Sequence, residues 1–207
     1  MDVHKICDTV KPILEKYNND EYIEMELRLG KFNGTFFDTN VGKENYDKIL
    51  HSLYAYKGWE SVSNITSEVY HRNEDNTRLT IREDTGEETL IKKERVCVED
   101  FKKLENTPYD IRFCVSNETP IEDDGNNDFS SKKIKNRTSF VRKNLSIDMT
   151  VCQGTSEDMD SEEFTVFQIE FEIIDPRKVT DIDTLFNIIH KIKDLFNILS
   201  LIHISEP

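Results

Sequence analysis

Residues 22 to 29 alternate without a break: Ile23, Met25, Leu27 and Leu29 are apolar, and Glu24, Glu26 and Arg28 between them are charged. Residues 167 to 173 do the same, with Phe167, Ile169, Phe171 and Ile173 set against Gln168, Glu170 and Glu172. Successive side chains of a strand point to opposite faces, so each segment predicts a strand with one apolar and one charged face. Further period-two segments lie between these two. In 77–82, Leu79 and Ile81 oppose Arg78, Thr80 and Arg82. In 88–98 the register is blurred, with Lys93 and Arg95 set against Leu90, Val96 and Val98. In 110–116, Ile111, Phe113 and Val115 oppose Arg112, Cys114 and Ser116. Residues 132–142 set Lys133, Lys135, Arg137 and Ser139 against Ile134 and Phe140. Residues 144–152 set Leu145, Ile147, Met149 and Val151 against Ser146, Asp148, Thr150 and Cys152. Shorter strands are predicted near 35–38 and 64–72.

Elsewhere the spacing is helical. Val3, Ile6, Val10, Ile13, Leu14 and Tyr17 predict an amphipathic helix over 3–17, with Pro12 placed to kink it. Tyr46, Ile49, Leu50 and Leu53 predict a second over 43–56, and Phe101 and Leu104 a short one over 99–105. The strongest pattern runs over 181–201, with Asp181 or Thr180 as its cap. Stretches rich in Asn, Asp, Gly and Ser predict mobile surface loops at 117–131 and 153–163.

The charged strand faces are sorted by sign. Arg78 and Arg82 share one, Lys133, Lys135 and Arg137 another, and the four glutamates lie on two more. The faces opposite are read as consistently apolar. A small barrel ordinarily turns its apolar side chains inward. Here helices are available to cover the apolar faces from outside, which lets the charged faces converge on a shared lumen. The expected fold class is therefore α+β, a closed barrel with a polar interior. Acids repeated on both terminal strands point to a built cation site, because hard divalent cations take clustered oxygen ligands.

Composition agrees with one substantial domain. The chain has 207 residues, 36% hydrophobic and 33% charged, a polar balance that a charged interior would produce. A net charge of −14 argues against a surface that coats nucleic acid, while leaving room for a local basic pocket. Cys7, Cys97, Cys114 and Cys152 lack zinc or disulfide-framework spacing and fit a reduced cytoplasmic protein. No apolar run is long enough to span a membrane, and Met1–Lys5 opens no signal peptide. There is no P-loop and no sign of a Ser–His or Cys–His pair. His190 and His203 read as structural or exposed, and Trp59 as packing.

At this point the chain resembles the triphosphate tunnel metalloenzyme superfamily, and within it the RNA triphosphatases of fungal, protozoan and large-DNA-virus mRNA capping systems. Glu24-Met25-Glu26-Leu27-Arg28-Leu29-Gly30 resembles the opening Glu-x-Glu signature, and Glu170-Phe171-Glu172 the closing one. Lys133-x-Lys135-x-Arg137 resembles the basic strand, and Asp148-Met149-Thr150 the acidic strand after it. The resemblance implies an eight-stranded antiparallel tunnel and metal-dependent removal of the γ-phosphate from the 5′ end of nascent RNA. Glu24, Glu26, Glu170 and Glu172 would hold Mn²⁺ or Mg²⁺, directly or through waters. Arg78, Lys93, Lys135 and Arg137 would contact the triphosphate, with Lys133 beside them. Asp148 would order those basic groups or bind a metal-coordinated water. Arg28, Arg82, Lys92, Arg95, Arg112 and Arg142 are second-rank candidates.

The implied partners are 5′-triphosphate RNA, nucleoside triphosphates and a linked or associated guanylyltransferase. Residues 1–207 are read as one tunnel domain, compatible with the N-terminal domain of a larger capping enzyme. The Asn, Ile and Lys content fits an A/T-rich genome such as that of a large DNA virus, with a viral factory or virion as the matching location. Three alternatives stay open: a small-molecule tunnel phosphohydrolase acting on tripolyphosphate, thiamine triphosphate or ATP; a non-catalytic polyphosphate-binding barrel; and a structural barrel with solvated charged faces.

Overall fold

The structure is a computed structural model that describes residues 1–154 and 164–200. Its elements follow in the order α1 (Val3–Tyr17), β1 (Ile23–Asn33), β2 (Phe36–Asp38), α2 (Lys43–Ala55), β3 (Ser61–Arg72), β4 (Thr77–Arg82), β5 (Glu88–Phe101), β6 (Asp110–Pro120), β7 (Ser131–Arg142), β8 (Leu145–Gly154), β9 (Thr165–Ile173), a 3-10 turn (Pro176–Lys178) and α3 (Ile182–Ser200).

Eight strands form a ring in the order β1-β6-β5-β4-β3-β7-β8-β9, and β9 returns to β1. The closing pairs are Glu26 with Glu172, Leu27 with Phe171 and Arg28 with Glu170. All the pairings are antiparallel, so the expected closed tunnel is what the chain builds. The short β2 stands outside the ring and pairs only with the end of β1. It crosses so near Gly30 that a Cβ there would lie 2.4 Å from the Asp38 carbonyl oxygen.

Residues directly opposite in a ladder share a face, so parity can be followed round the ring. Glu26 faces Cys114 and Glu172, Asp148 faces Glu170 and Ser139, and Arg137 faces Thr150. These are the interior positions. One irregularity interrupts the count: β5 bulges between Arg95 and Cys97. Lys93 and Arg95 face inward ahead of the bulge, and Val98 and Asp100 face inward after it, opposite Cys114 and Arg112. The expectation that Val98 opposes Lys93 therefore fails, because the extra residue shifts the parity.

The hydrophobic core lies outside the tunnel. Met25, Leu27, Phe113, Phe140, Met149, Ile169 and Phe171 are buried on the outer faces of β1, β6, β7, β8 and β9. Against them pack Ile6, Val10 and Leu14 of α1, Ile49 of α2, and Ile189, Ile192 and Phe196 of α3. The outer faces of β3 and β5 do not follow the apolar expectation: they carry Asn64, Glu68, Lys92 and Glu94, and Val62 and Val96 are exposed. Trp59 is packing, as expected: it lies on Phe140 and donates its indole N–H to the Leu53 carbonyl at 2.7 Å.

Helix ends follow local chemistry. Asp181 accepts from the Thr184 N–H at 2.6 Å, as expected of a cap, and Asp2 does the same for α1 from Lys5. α1 runs unbroken through Pro12. The short helix expected over 99–105 does not form. β5 continues to Phe101, and positive φ values at Lys103 (52°) and Asn106 (55°) exclude a helix there.

The loop expected over 117–131 begins only after Pro120. It is tied down by Arg72, a buried residue that ion-pairs with Asp124 at 2.8 Å and reaches the Asn126 carbonyl at 2.8 Å. Most of the loop predicted over 153–163, and His203, lie outside the described residues. His190, half-exposed on α3, faces Asp194. The four cysteines are unpaired. Among the described residues, no helix is long and apolar enough to cross a membrane.

Candidate active site

Two runs of ion pairs line the tunnel. The first crosses the β7–β8–β9–β1 wall. Asp148 stands 3.2 Å from Arg137, Arg137 is 2.8 Å from Glu170, Glu170 is 3.2 Å from Arg28, and Arg28 is 2.7 Å from Glu26. Thr150 accepts from the Arg137 Nε at 3.0 Å and so fixes the plane of the guanidinium. The second run joins β1, β5, β6 and β4. Glu24 and Glu118 share the Lys93 ammonium at 2.5 and 2.7 Å, and Glu118 also receives Arg78 at 2.9 Å. Ser116 donates to Glu24 at 3.1 Å.

Lys135 stands between the two runs. Among the described residues it makes no hydrogen bond or ion pair. Burial, with Arg137 and Arg78 close by, pulls its ammonium down to about 8. In Arg78, Nε is buried and has no acceptor. Among the described residues the site therefore holds two cationic donor groups, the Lys135 ammonium and the Arg78 Nε, that no acceptor satisfies.

The acids divide in the opposite sense. Burial pushes Glu24 up, but Lys93 outweighs it and holds the carboxyl well below its usual range. Burial likewise opposes Glu170, and Arg28 and Arg137 hold it low. Burial raises Glu26 to about 7, with Glu170 and Glu24 adding to the rise and Arg28 opposing it. Burial, then Glu24 and Asp148, raise Glu172 to about 7, and among the described residues Glu172 has no ion pair or hydrogen bond. Burial thus dominates at Glu26 and Glu172, and cationic neighbours dominate at Glu24 and Glu170.

Two chambers open among the described residues of the tunnel. One, of about 360 Å³, is lined by Glu24, Arg78, Lys135, Arg137, Glu170 and Glu172, with Tyr22 and Ile174 among the remaining wall residues. The other, of about 420 Å³, is lined by Asn76, Arg95, Cys114 and Ser116. Glu26, Arg28 and Lys93 line both and mark the division between them.

Of the residues picked from the sequence, Glu24, Glu26, Arg78, Lys93, Lys135, Arg137, Asp148, Glu170 and Glu172 all face this interior, and Lys133 shares their parity. The second rank divides. Arg28 is central, and Arg95 faces the second chamber. Arg82 has interior parity but is held by Asp84, and Arg112 by Asp100. Lys92 and Arg142 point outward, Lys92 to Glu94 and Arg142 over the Tyr56 ring. The structural barrel with solvated charged faces is set aside, because Glu26, Asp148 and Glu170 are buried in one lumen.

Glu118 was missed. The alternation of Arg112, Cys114 and Ser116 continues to it, but Asn117, Thr119 and Pro120 make the stretch look like a loop. Following the parity two residues further would have found it.

Comparison with known proteins places this geometry. The sequence model of the family described as mRNA capping enzyme, beta chain, matches residues 43–200, a span that starts after β1. The mRNA-capping enzyme subunit beta of Schizosaccharomyces pombe is 28% identical over 124 residues, which is 57% of this chain and 39% of that protein. The chain thus aligns with about two fifths of the length of that curated relative. The solved S. pombe Pct1 RNA triphosphatase superposes with a TM-score of 0.74 at 18% identity, over 92% of each chain. Its complex with the Spt5 CTD gives 0.76 at 17% identity, with the same coverage. Both structures share the fold, and the family match covers most of the chain: this protein belongs to the mRNA capping enzyme beta chain family.

Proposed function

We propose that this protein is a divalent-metal-dependent RNA 5′-triphosphatase. It removes the γ-phosphate from 5′-triphosphate RNA, leaves a diphosphate end for capping, and also hydrolyses nucleoside triphosphates. One observation carries the reading: four acids from β1 and β9 line the same chamber as Arg78, Lys93, Lys135 and Arg137. Family membership and the likeness to an RNA triphosphatase support it.

The acids fit Mn²⁺ or Mg²⁺. They offer hard oxygen donors, and Glu26 and Glu172 are register partners across the closing seam. As the side chains stand, no group of three or more His, Cys, Asp or Glu is gathered to hold an ion among the described residues. Arg28, Arg137 and Lys93 occupy three of the carboxylates instead. Glu172 has no ion pair or hydrogen bond among the described residues, and a divalent cation would offset the burial that raises Glu26 and Glu172. When bound, it would offset charge on the phosphate oxygens during transfer.

The chain's own residues do the rest. Lys135, which has no acceptor among the described residues, and Arg78 bind phosphate oxygens. Arg137 presents a planar fork whose aim Asp148 and Thr150 set. Arg28 holds Glu26 and Glu170 in position, and the acid set orients the attacking water. The transferred phosphoryl needs positioning and charge stabilisation rather than a covalent intermediate. A guanylyltransferase, in the same polypeptide or an associated subunit, would consume the diphosphate end.

The test is phosphate release from γ-labelled triphosphate RNA, ATP and tripolyphosphate, with Mn²⁺, Mg²⁺ or chelator. Metal-dependent release from RNA and ATP is expected. Turnover of tripolyphosphate alone would favour a small-molecule phosphohydrolase, and binding without turnover a polyphosphate-binding barrel.

A further inference from the structure

We infer that Tyr22 is the stacking platform for the first nucleobase of the substrate, so that the 5′ end enters the tunnel by the mouth that Tyr22 rims. The inference rests on the triphosphatase reading and adds a direction to it. Antiparallel register gives the tunnel two distinct ends. The start of β1, the ends of β6 and β9 and the β7–β8 turn lie at one; Gly30, Asp110, Thr77 and Gly154 lie towards the other.

The first end opens into the chamber that holds Lys135, Arg78 and Glu172, and Tyr22 lines that chamber. Tyr22 is 42% exposed. Its backbone is fixed, because its carbonyl accepts from the Glu118 N–H at 2.9 Å. Its ring and hydroxyl have no partner among the described residues. Tyr54 and Tyr56 are exposed to a similar degree, but their rings pack on Phe140 and Trp59. Ile174, 46% exposed, extends the apolar rim beside Tyr22.

A charged lumen needs no aromatic residue to hold phosphates. An unpartnered aromatic ring carried on a held backbone at the mouth of a phosphate chamber suits the flat face of a base, and stacking of this kind tolerates any base. With the γ-phosphate drawn inward by Lys135 and Arg78, the nucleoside emerges at Tyr22. The chamber of Asn76 and Arg95 lines its wall with no aromatic ring.

Equilibrium binding of ATP and of tripolyphosphate, with chelator present so that no turnover intrudes, tests this. The comparison covers the wild type, Tyr22→Ala, Tyr22→Phe and Arg95→Ala. Tyr22→Ala should weaken ATP about tenfold while tripolyphosphate changes by less than about twofold, and Tyr22→Phe should restore ATP binding. The KM for triphosphate RNA should follow ATP. Equal loss for both ligands, no loss for either, or an ATP-specific loss in Arg95→Ala instead would overturn the assignment. A wild type that binds ATP in this pattern but releases no phosphate from RNA would overturn the triphosphatase reading and leave the platform standing.

Discussion

Arg28 and Glu170 are register partners across the seam where β1 closes on β9, and the Arg28 Nε lies 3.2 Å from the Glu170 carboxylate. The same guanidinium holds Glu26 at 2.7 Å. One side chain therefore joins the last strand to the first and aims two acids of the site. Arg28→Ala leaves two buried carboxylates without that partner and should cost about 3 kcal/mol of stability. Urea unfolding of Arg28→Ala beside Glu170→Gln/Arg28→Ala checks this: neutralising Glu170 should recover part of the loss. An unchanged midpoint in Arg28→Ala would show that the seam does not depend on the pair.

Parity, rather than net charge, should decide which lysines of β7 matter. Lys135 and Arg137 face the chamber, whereas Lys132 lies outside, 2.6 Å from Glu68. Lys135→Ala and Arg137→Ala should each lower kcat/KM by about 100-fold, the scale of a lost charge-stabilising donor. Lys132→Ala should be near normal. Arg137→Lys should recover only part of the rate, because Lys lacks the planar fork. Equal losses at 132 and 137 would show that bulk charge, not geometry, governs turnover.

Glu172 gives stability a pH slope. Its folded value lies near 7 against an ordinary 4.5, so between those values the folded state holds more proton than the unfolded one. Stability from this group is full below about 4.5 and falls as pH rises towards about 7, by at most about 3 kcal/mol. Glu172→Gln removes its share of the slope and leaves that of Glu26, so its stability relative to wild type should grow over that interval. Adding Mn²⁺ to the wild type should flatten the same slope. Parallel pH profiles for wild type and Glu172→Gln would refute the assignment.

Glu118 should behave as a member of the site. It holds Lys93 at 2.7 Å and Arg78 at 2.9 Å, so it sets where both cations point. Glu118→Ala should lower kcat at least about tenfold, on the scale of a disturbed charge-stabilising contact. Glu122→Ala, an exposed acid beyond the end of β6, should be indistinguishable from wild type. Combining Glu118→Ala with Arg78→Ala should cost less than the product of the two losses, since residues in one network do not act independently.

The terminal strands were readable because alternation is a local property. Glu24, Glu26, Glu170 and Glu172 announce their faces in a few residues each. Closure was not local: only the registered pairs show that Glu26 lies against Glu172. The bulge at Val96 was invisible because one extra residue leaves composition unchanged while reversing every face after it. Phe101 and Leu104, three apart, imitated a helix where a strand simply ends. The outer faces of β3 and β5 depart from the apolar pattern because the helices cover only one side of the ring. Polarity at 117–120 hid a strand whose interior face carries Glu118.

That uneven cover divides the ring into an insulated half and a bare half. Met25, Leu27, Met149, Ile169 and Phe171, behind the acids, are at most 1% exposed, whereas β3 and β5 show their outer faces to water. Amides of β1, β8 and β9 should exchange with solvent only on global unfolding, and those of β3, β4 and β5 through smaller openings. On that expectation the acids of β1, β8 and β9 lie in the slowly exchanging half, and Arg78 and Lys93 in the half that opens first. A closed ring built in this way should yield along one side while its carboxylates keep their places.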